Sequence, residues 1–96
     1  YDKNALEVST EDHILICLEA LEHMRDDIAF IKQIPSKTTI VLSVPNFPAR
    51  THYRFFRDLE SVKGRYQAYL SPRELFETVH NKKAGQKLFY MIGERI

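Results

Sequence analysis

Residues 12–47 read DHILICLEALEHMRDDIAFIKQIPSKTTIVLSVPNF, and the order of apolar and polar runs in them decides the fold. Residues 13–18 (HILICL) form a short, nearly continuous apolar run with β-branched members. That is the pattern of a strand in a parallel sheet with both faces covered. Residues 19–24 read as the turn that leads into a helix. Asp26 and Asp27 precede Ile28, Ile31 and Ile34, which recur at helical spacing. Acidic residues in a first turn suit the positive end of the helix dipole. Pro35 stops the helix, and residues 39–44 (TIVLSV) form a second strand that ends at Pro45, where the ladder loses a donor. A strand, a helix and a strand with short connections pair in parallel through a right-handed crossover. The two strand ends then point to one place, where open α/β sheets bind ligands.

Outward from this unit, residues 1–12 are polar and read as a loop. Residues 46–51 (NFPART) form a second loop, followed by the aromatic and basic run HYRFF at 52–56. Leu59, Val62, Tyr66 and Tyr69 recur at helical intervals, predicting a helix over 57–70, with Gly64 costing it about 1 kcal/mol relative to Ala. The end is ambiguous. Residues 71–74 (SPRE) resemble a helix start with Pro at the first position. Residues 75–80 are also compatible with a strand, and residues 87–92 (KLFYMI) read as one. A hairpin of 74–80 with 86–94, turning at NKKAG, is the preferred reading over a helix before the last strand. The first two strands are apolar on both sides, yet the chain supplies helices for one face. An exposed apolar edge invites aggregation. The sheet is therefore expected to continue past residues 13–18, into further chain or a partner subunit.

Ninety-six residues make one segment of domain size, 1–96, with a modest core. The net charge is +1 with both signs interspersed, so there is no basic stripe for nucleic acid and no acidic tail. A few local cations can still serve a nucleic-acid substrate. The single cysteine, Cys17, cannot form an internal disulfide or a cysteine metal cluster and reads as packing. The lack of paired cysteines suits a cytoplasmic protein. No apolar run approaches the roughly twenty residues a membrane helix needs, and no signal peptide is expected from these residues.

With the residues laid out, CLEALEHM, the acidic helix after it and VLSVPNF resemble the fourth and fifth strands of class I S-adenosylmethionine-dependent methyltransferases. THYRFF, the helix to Tyr66 and the closing LFYMIG strand resemble the tail of small bacterial members. The resemblance covers nearly the whole chain. It implies a partial Rossmann-like sheet of α/β class, ordered strand, helix, strand, helix and terminal antiparallel hairpin. The family's glycine-rich cofactor loop has no counterpart here. Gly64, Gly85 and Gly93 are the only glycines, and none follows a strand into a helix. The implied activity is methyl transfer from S-adenosylmethionine to a nucleophile, most simply on a small molecule. The alternatives are a non-catalytic dimerisation module with an open sheet edge and a metal-dependent RNA 2′-O-methyltransferase.

Candidate chemistry gathers at the two strand ends. On a helix, Glu19 and His23 would stack four residues apart. They are the candidate acid–base pair, because His titrates near neutrality. Together with Glu22 they also offer the oxygen and nitrogen donors of a divalent-metal site. The resemblance adds that some small-RNA 2′-O-methyltransferases and ubiquinone-pathway enzymes carry a similar Glu-x-x-Glu-His linked to metal. The competing reading is that these residues cap and solvate a helix start, and no metal is assigned. The resemblance places Cys17, Leu18 and Glu19 against the cofactor; strand packing explains the first two equally well. Asn46 offers a donor and an acceptor to a substrate, or caps a turn. His52 and Arg54 could close over a substrate carboxylate or phosphate, or belong to an aromatic patch packing the next helix.

Overall fold

A computed structural model describes residues 14–96. The loop read over residues 1–12 and His13 at the head of the first strand lie outside them. The chain forms β1 (Ile14–Leu18), a 3₁₀ turn (Leu21–His23), α1 (Asp27–Lys32), β2 (Thr39–Pro45), α2 (Leu59–Tyr66), β3 (Leu70–Asn81) and β4 (Gln86–Arg95). The sheet order is β1-β2-β4-β3. β1 and β2 are parallel and in register from Ile14 opposite Thr39 to Leu18 opposite Ser43. β4 runs antiparallel to β2, and β3 antiparallel to β4. The mixed α/β sheet, with its closing hairpin, is the architecture expected from the sequence.

The differences are local. The helix expected over 57–70 is confined to Leu59–Tyr66. Asp58 starts it through a capping box with Ser61, and Leu70 has already joined β3. The hairpin is longer than expected because residues 70–73 pair as well, with a bulge between Pro72 and Glu74. β3 is an edge strand, where a proline without a ladder donor is tolerated. Gly93 sits opposite Pro72. A Cβ there would lie 3.0 Å from the Ser71 carbonyl oxygen, so the close strand approach explains the glycine. Gly85, with φ of 67°, closes the hairpin turn in a conformation that other residues adopt at a cost.

One face of the sheet carries the core. Leu15, Cys17, Ile40, Leu42, Val44, Phe89 and Met91 pack against Phe30, Ile31 and Ile34 from the α1 region and Phe56, Val62 and Tyr66 from the α2 region. Each such large side chain is worth about 1.5–3 kcal/mol when fully buried. The carboxyl end of α1 is closed by Arg95, whose Nε donates to the Ile31 carbonyl at 3.0 Å, a favourable place for a cation. The opposite face is different. Ile14, Ile16 and Leu18 are exposed, with Ile16 at 62 %. Register puts Ile16, Val41 and Ile92 in one row, and Leu18, Ser43, Tyr90 and Phe76 in the next. The both-faces-covered pattern of β1 is thus met on one face alone among the described residues.

Candidate functional site

The carboxyl ends of β1 and β2 lie side by side, with Leu18 opposite Ser43. Glu19 follows β1 at φ 51°, a left-handed conformation uncommon for a residue with a Cβ. It is held there from β2, because its N–H lies 2.9 Å from Ser43 Oγ and 3.1 Å from the Ser43 carbonyl. The chain then makes the 3₁₀ turn of Leu21–His23. This corrects the helical stacking expected of Glu19 and His23: Glu19 lies before the turn, and no α-helix joins the two. A short tight connection and a strand-anchored left-handed residue leave no room for a full α-turn.

Past β2, the loop over residues 46–57 folds back onto this turn. The Tyr53 N–H donates to the Glu22 carbonyl at 2.7 Å. His23 Nδ1 lies 3.1 Å from the Thr51 carbonyl. The His23 and His52 rings meet edge to face with centroids 4.9 Å apart. The two corners therefore share one rim, but with a different membership from the one read in the sequence. A carboxylate oxygen of Glu22 and a ring nitrogen from each of His23 and His52 lie within 4.8 Å of one another. His52 takes the place that Glu19 was expected to fill in that set.

Glu22 is 1 % exposed. Among the described residues its Oε1 is a buried oxygen with no hydrogen-bond partner. Its Oε2 lies 3.9 Å from His23 Nε2, beyond hydrogen-bond reach. Burial raises its pKa, against the lowering effects of its own backbone hydrogen bond and of nearby His23 and His52.

Other expected site residues have other occupations. The Asn46 amide donates to the Gly85 carbonyl at 3.1 Å, and its oxygen accepts from the Lys87 N–H at 2.7 Å. It fastens the β2 end to the hairpin turn, the turn-capping alternative. The Arg54 guanidinium donates to the carbonyls of Leu21, Met24 and Arg25 and lies 3.6 Å from Asp27 Oδ1. Those donors are spent on the turn that carries Glu22. Cys17 is buried in the core and Leu18 opens onto the uncovered face. His52 sits against Phe47, which in turn stacks on His80 at 5.3 Å.

Asp27 is the residue whose role sequence reading missed. Asp26 caps α1, accepting from the Ala29 N–H at 2.9 Å, while Asp27 turns inward and is fully buried. It accepts from Arg65 Nε at 2.9 Å, Arg65 Nη2 at 2.6 Å and the Tyr66 hydroxyl at 2.6 Å. Burial pushes its pKa up, but the bonds from Arg65 and Tyr66 outweigh it and the net shift is downward. Burial, then the bond to Asp27, pushes the Tyr66 hydroxyl well above its usual range. The sequence signal was there as an Asp pair at a helix start, of which one member suffices for the cap.

The fold is similar to part of a class I methyltransferase sheet. The chain is similar in structure to the N-methyltransferase NodS from Bradyrhizobium japonicum WM9, solved in complex with S-adenosyl-L-homocysteine, with a TM-score of 0.61 at 14 % identity. The match covers 95 % of this chain and 50 % of that one, so the chain spans about half the length of that relative. No protein-family model matches the chain, and no curated protein matches it either. Among the described residues no helix is long and apolar enough to cross a membrane.

Proposed function

We propose that this chain, residues 1–96, is the carboxyl half of an S-adenosylmethionine-dependent methyltransferase, acting on a small-molecule nucleophile. The observation that carries the reading is the juxtaposition at one rim of two parallel strand ends, the strained Glu19 and the Glu22–His23–His52 cluster. Support comes from the fold, which is similar to that of an N-methyltransferase solved with S-adenosyl-L-homocysteine. S-adenosylmethionine would supply an electrophilic methyl group. In this reading the end of β1, at Cys17, Leu18 and Glu19, forms one wall for it. The glycine-rich cradle is not among these residues, so the rest of the pocket would come from other polypeptide. The rim's contribution is to position the acceptor and to accept its proton at Glu19 or His23.

In this reading that polypeptide would cover the exposed apolar face. Ile14, Ile16, Leu18 and Phe76 are exposed on it, and the β1 edge away from β2 has no strand beside it among the described residues. A covering layer there would bury the apolar row and close the edge. Titration of S-adenosylhomocysteine into the full-length polypeptide that carries these residues tests the reading: saturable heat is expected, and folded protein giving none ends it.

The same exposed row favours a second reading, a non-catalytic module that pairs across this face with another copy. Analytical ultracentrifugation of the chain and of its Ile16→Lys variant separates the two. A self-associating chain that Ile16→Lys renders monomeric, with no cofactor binding in the full-length polypeptide, favours the module.

A further inference from the structure

The clearest unexplained feature of the rim is a buried carboxylate beside two imidazoles. Glu22 is 1 % exposed, and among the described residues its Oε1 has no hydrogen-bond partner. A desolvated acceptor left unpaired is costly, and more so when it is charged. The Arg54 guanidinium that grips the same turn is spent on the carbonyls of Leu21, Met24 and Arg25. The two rings add acceptors of their own. His23 Nδ1 lies 3.1 Å from the Thr51 carbonyl and His52 Nδ1 3.3 Å from the Phe47 carbonyl. A carbonyl can only accept, so each Nδ1 carries the proton and each Nε2 keeps its lone pair. The cluster therefore presents three acceptors, one of them anionic, while both ring donors are turned into the backbone.

Spacing decides what such a cluster fits. A carboxylate oxygen of Glu22 and one nitrogen of each ring lie within 4.8 Å of one another, and Glu22 Oε2 is 3.9 Å from His23 Nε2. A primary ammonium group carries three N–H donors in a tetrahedral array and no acceptor. Charge-assisted bonds of about 2.8 Å place its three partners roughly 4.6 Å apart. A guanidinium is planar, a hydroxyl brings one donor and a quaternary ammonium brings none.

We propose that Glu22, His23 and His52 form a tripod for a primary ammonium group on the methyl acceptor. The proposal rests on the methyltransferase reading and narrows its substrate class to small molecules that carry a primary amine. The ammonium is a handle and not the nucleophile. With three N–H groups engaged, its nitrogen has no lone pair to attack a methyl group, so the nucleophile is a different atom of the same molecule. Glu22 supplies the countercharge, and the cost of its burial is offset in the complex. With His23 occupied, proton acceptance at the rim falls to Glu19. The His23 side chain is 39 % exposed and His52 is half-buried, so the group enters from the solvent side of the rings.

Imidazole ¹⁵N spectra of the full-length polypeptide read the site directly, with EDTA present to keep metal out of the cluster. Methylammonium chloride is the probe. Tetramethylammonium chloride, of equal charge but without N–H donors, is the control at the same ionic strength. Methylammonium should shift Nε2 of both His23 and His52 saturably and leave both Nδ1 protonated, whereas tetramethylammonium should shift neither. Glu22→Gln should weaken methylammonium binding at least about tenfold. The wild-type comparison of the two cations decides the matter if that variant fails to fold. Equal shifts with both cations, a shift confined to one ring, the absence of a saturable shift, or undiminished binding by folded Glu22→Gln overturns the proposal. No cofactor is present in this measurement, so its failure is distinct from a failure of S-adenosylhomocysteine to bind.

Discussion

Glu22 and Asp27 stand five residues apart, both essentially buried, and their environments are opposite. Asp27 receives three hydrogen bonds from Arg65 and Tyr66 and has Arg54 nearby. Glu22 keeps one oxygen without a partner among the described residues. Burial penalises both charges. Compensation wins at Asp27, whose pKa falls, and fails at Glu22, whose pKa rises. A carboxylate with its partners in place holds elements together; one that is desolvated and under-coordinated is poised for a ligand or a proton. Arg54 links the two, because it touches Asp27 and grips the carbonyls of the turn that carries Glu22.

The largest effect expected from breaking this contrast is at Asp27. Asp27→Ala strips α1 of its tie to α2 and leaves the Tyr66 hydroxyl unpaired. The loss should be about 3 kcal/mol in urea unfolding, at the lower end for a broken buried pair because the Arg65 side chain is 38 % exposed and regains water. The pH dependence carries a defined sign. Asp27 has a folded pKa below its usual 3.8, so its contribution is present above that value and is lost as pH falls through the folded one. Asp27→Asn should therefore flatten the acid limb of the stability profile.

Arg54→Ala comes next, at about 2 kcal/mol, since three carbonyls lose a donor at once. Its distinguishing consequence is at the rim. The Glu22 turn loosens, and chemical shifts of His23 and His52 should move although the guanidinium's hydrogen bonds go to Leu21, Met24 and Arg25. Tyr66→Phe removes a single bond to a charged acceptor that keeps Arg65, and should cost about 1.5 kcal/mol with the ring packing retained.

The smallest change, and the one of opposite sign, is Glu22→Gln. Removing an uncompensated buried charge should raise stability at neutral pH by less than about 1 kcal/mol. Between pH 4.5 and its higher folded pKa, the native Glu22 holds a proton that the unfolded chain has lost. Stability therefore falls as pH rises across that window, and Glu22→Gln should abolish that slope. Loss of stability in Glu22→Gln comparable to that in Asp27→Ala would erase the distinction between the two carboxylates.

Local pattern was readable where structure is local. The β-branched run at Ile14–Leu18 and its twin at Thr39–Pro45, split by an acidic helix, dictate a parallel pair because a crossover of this length permits little else. The Gln86–Arg95 strand and its hairpin followed from apolar runs around NKKAG. The helix over 57–70 was read too long because Tyr69 continues the apolar spacing after the backbone has left the helix.

What the sequence alone determined, then, is the succession of strands and helices and the rim at which two strand ends meet, because periodicity and breakers act over a few neighbouring residues. Tertiary structure decided the company each polar side chain keeps. His52 reaches His23 across 29 positions, and Arg65 reaches Asp27 across 38. Whether a buried carboxylate is quenched or left open depends on which donors the folded chain brings beside it, and no spacing along the chain encodes that.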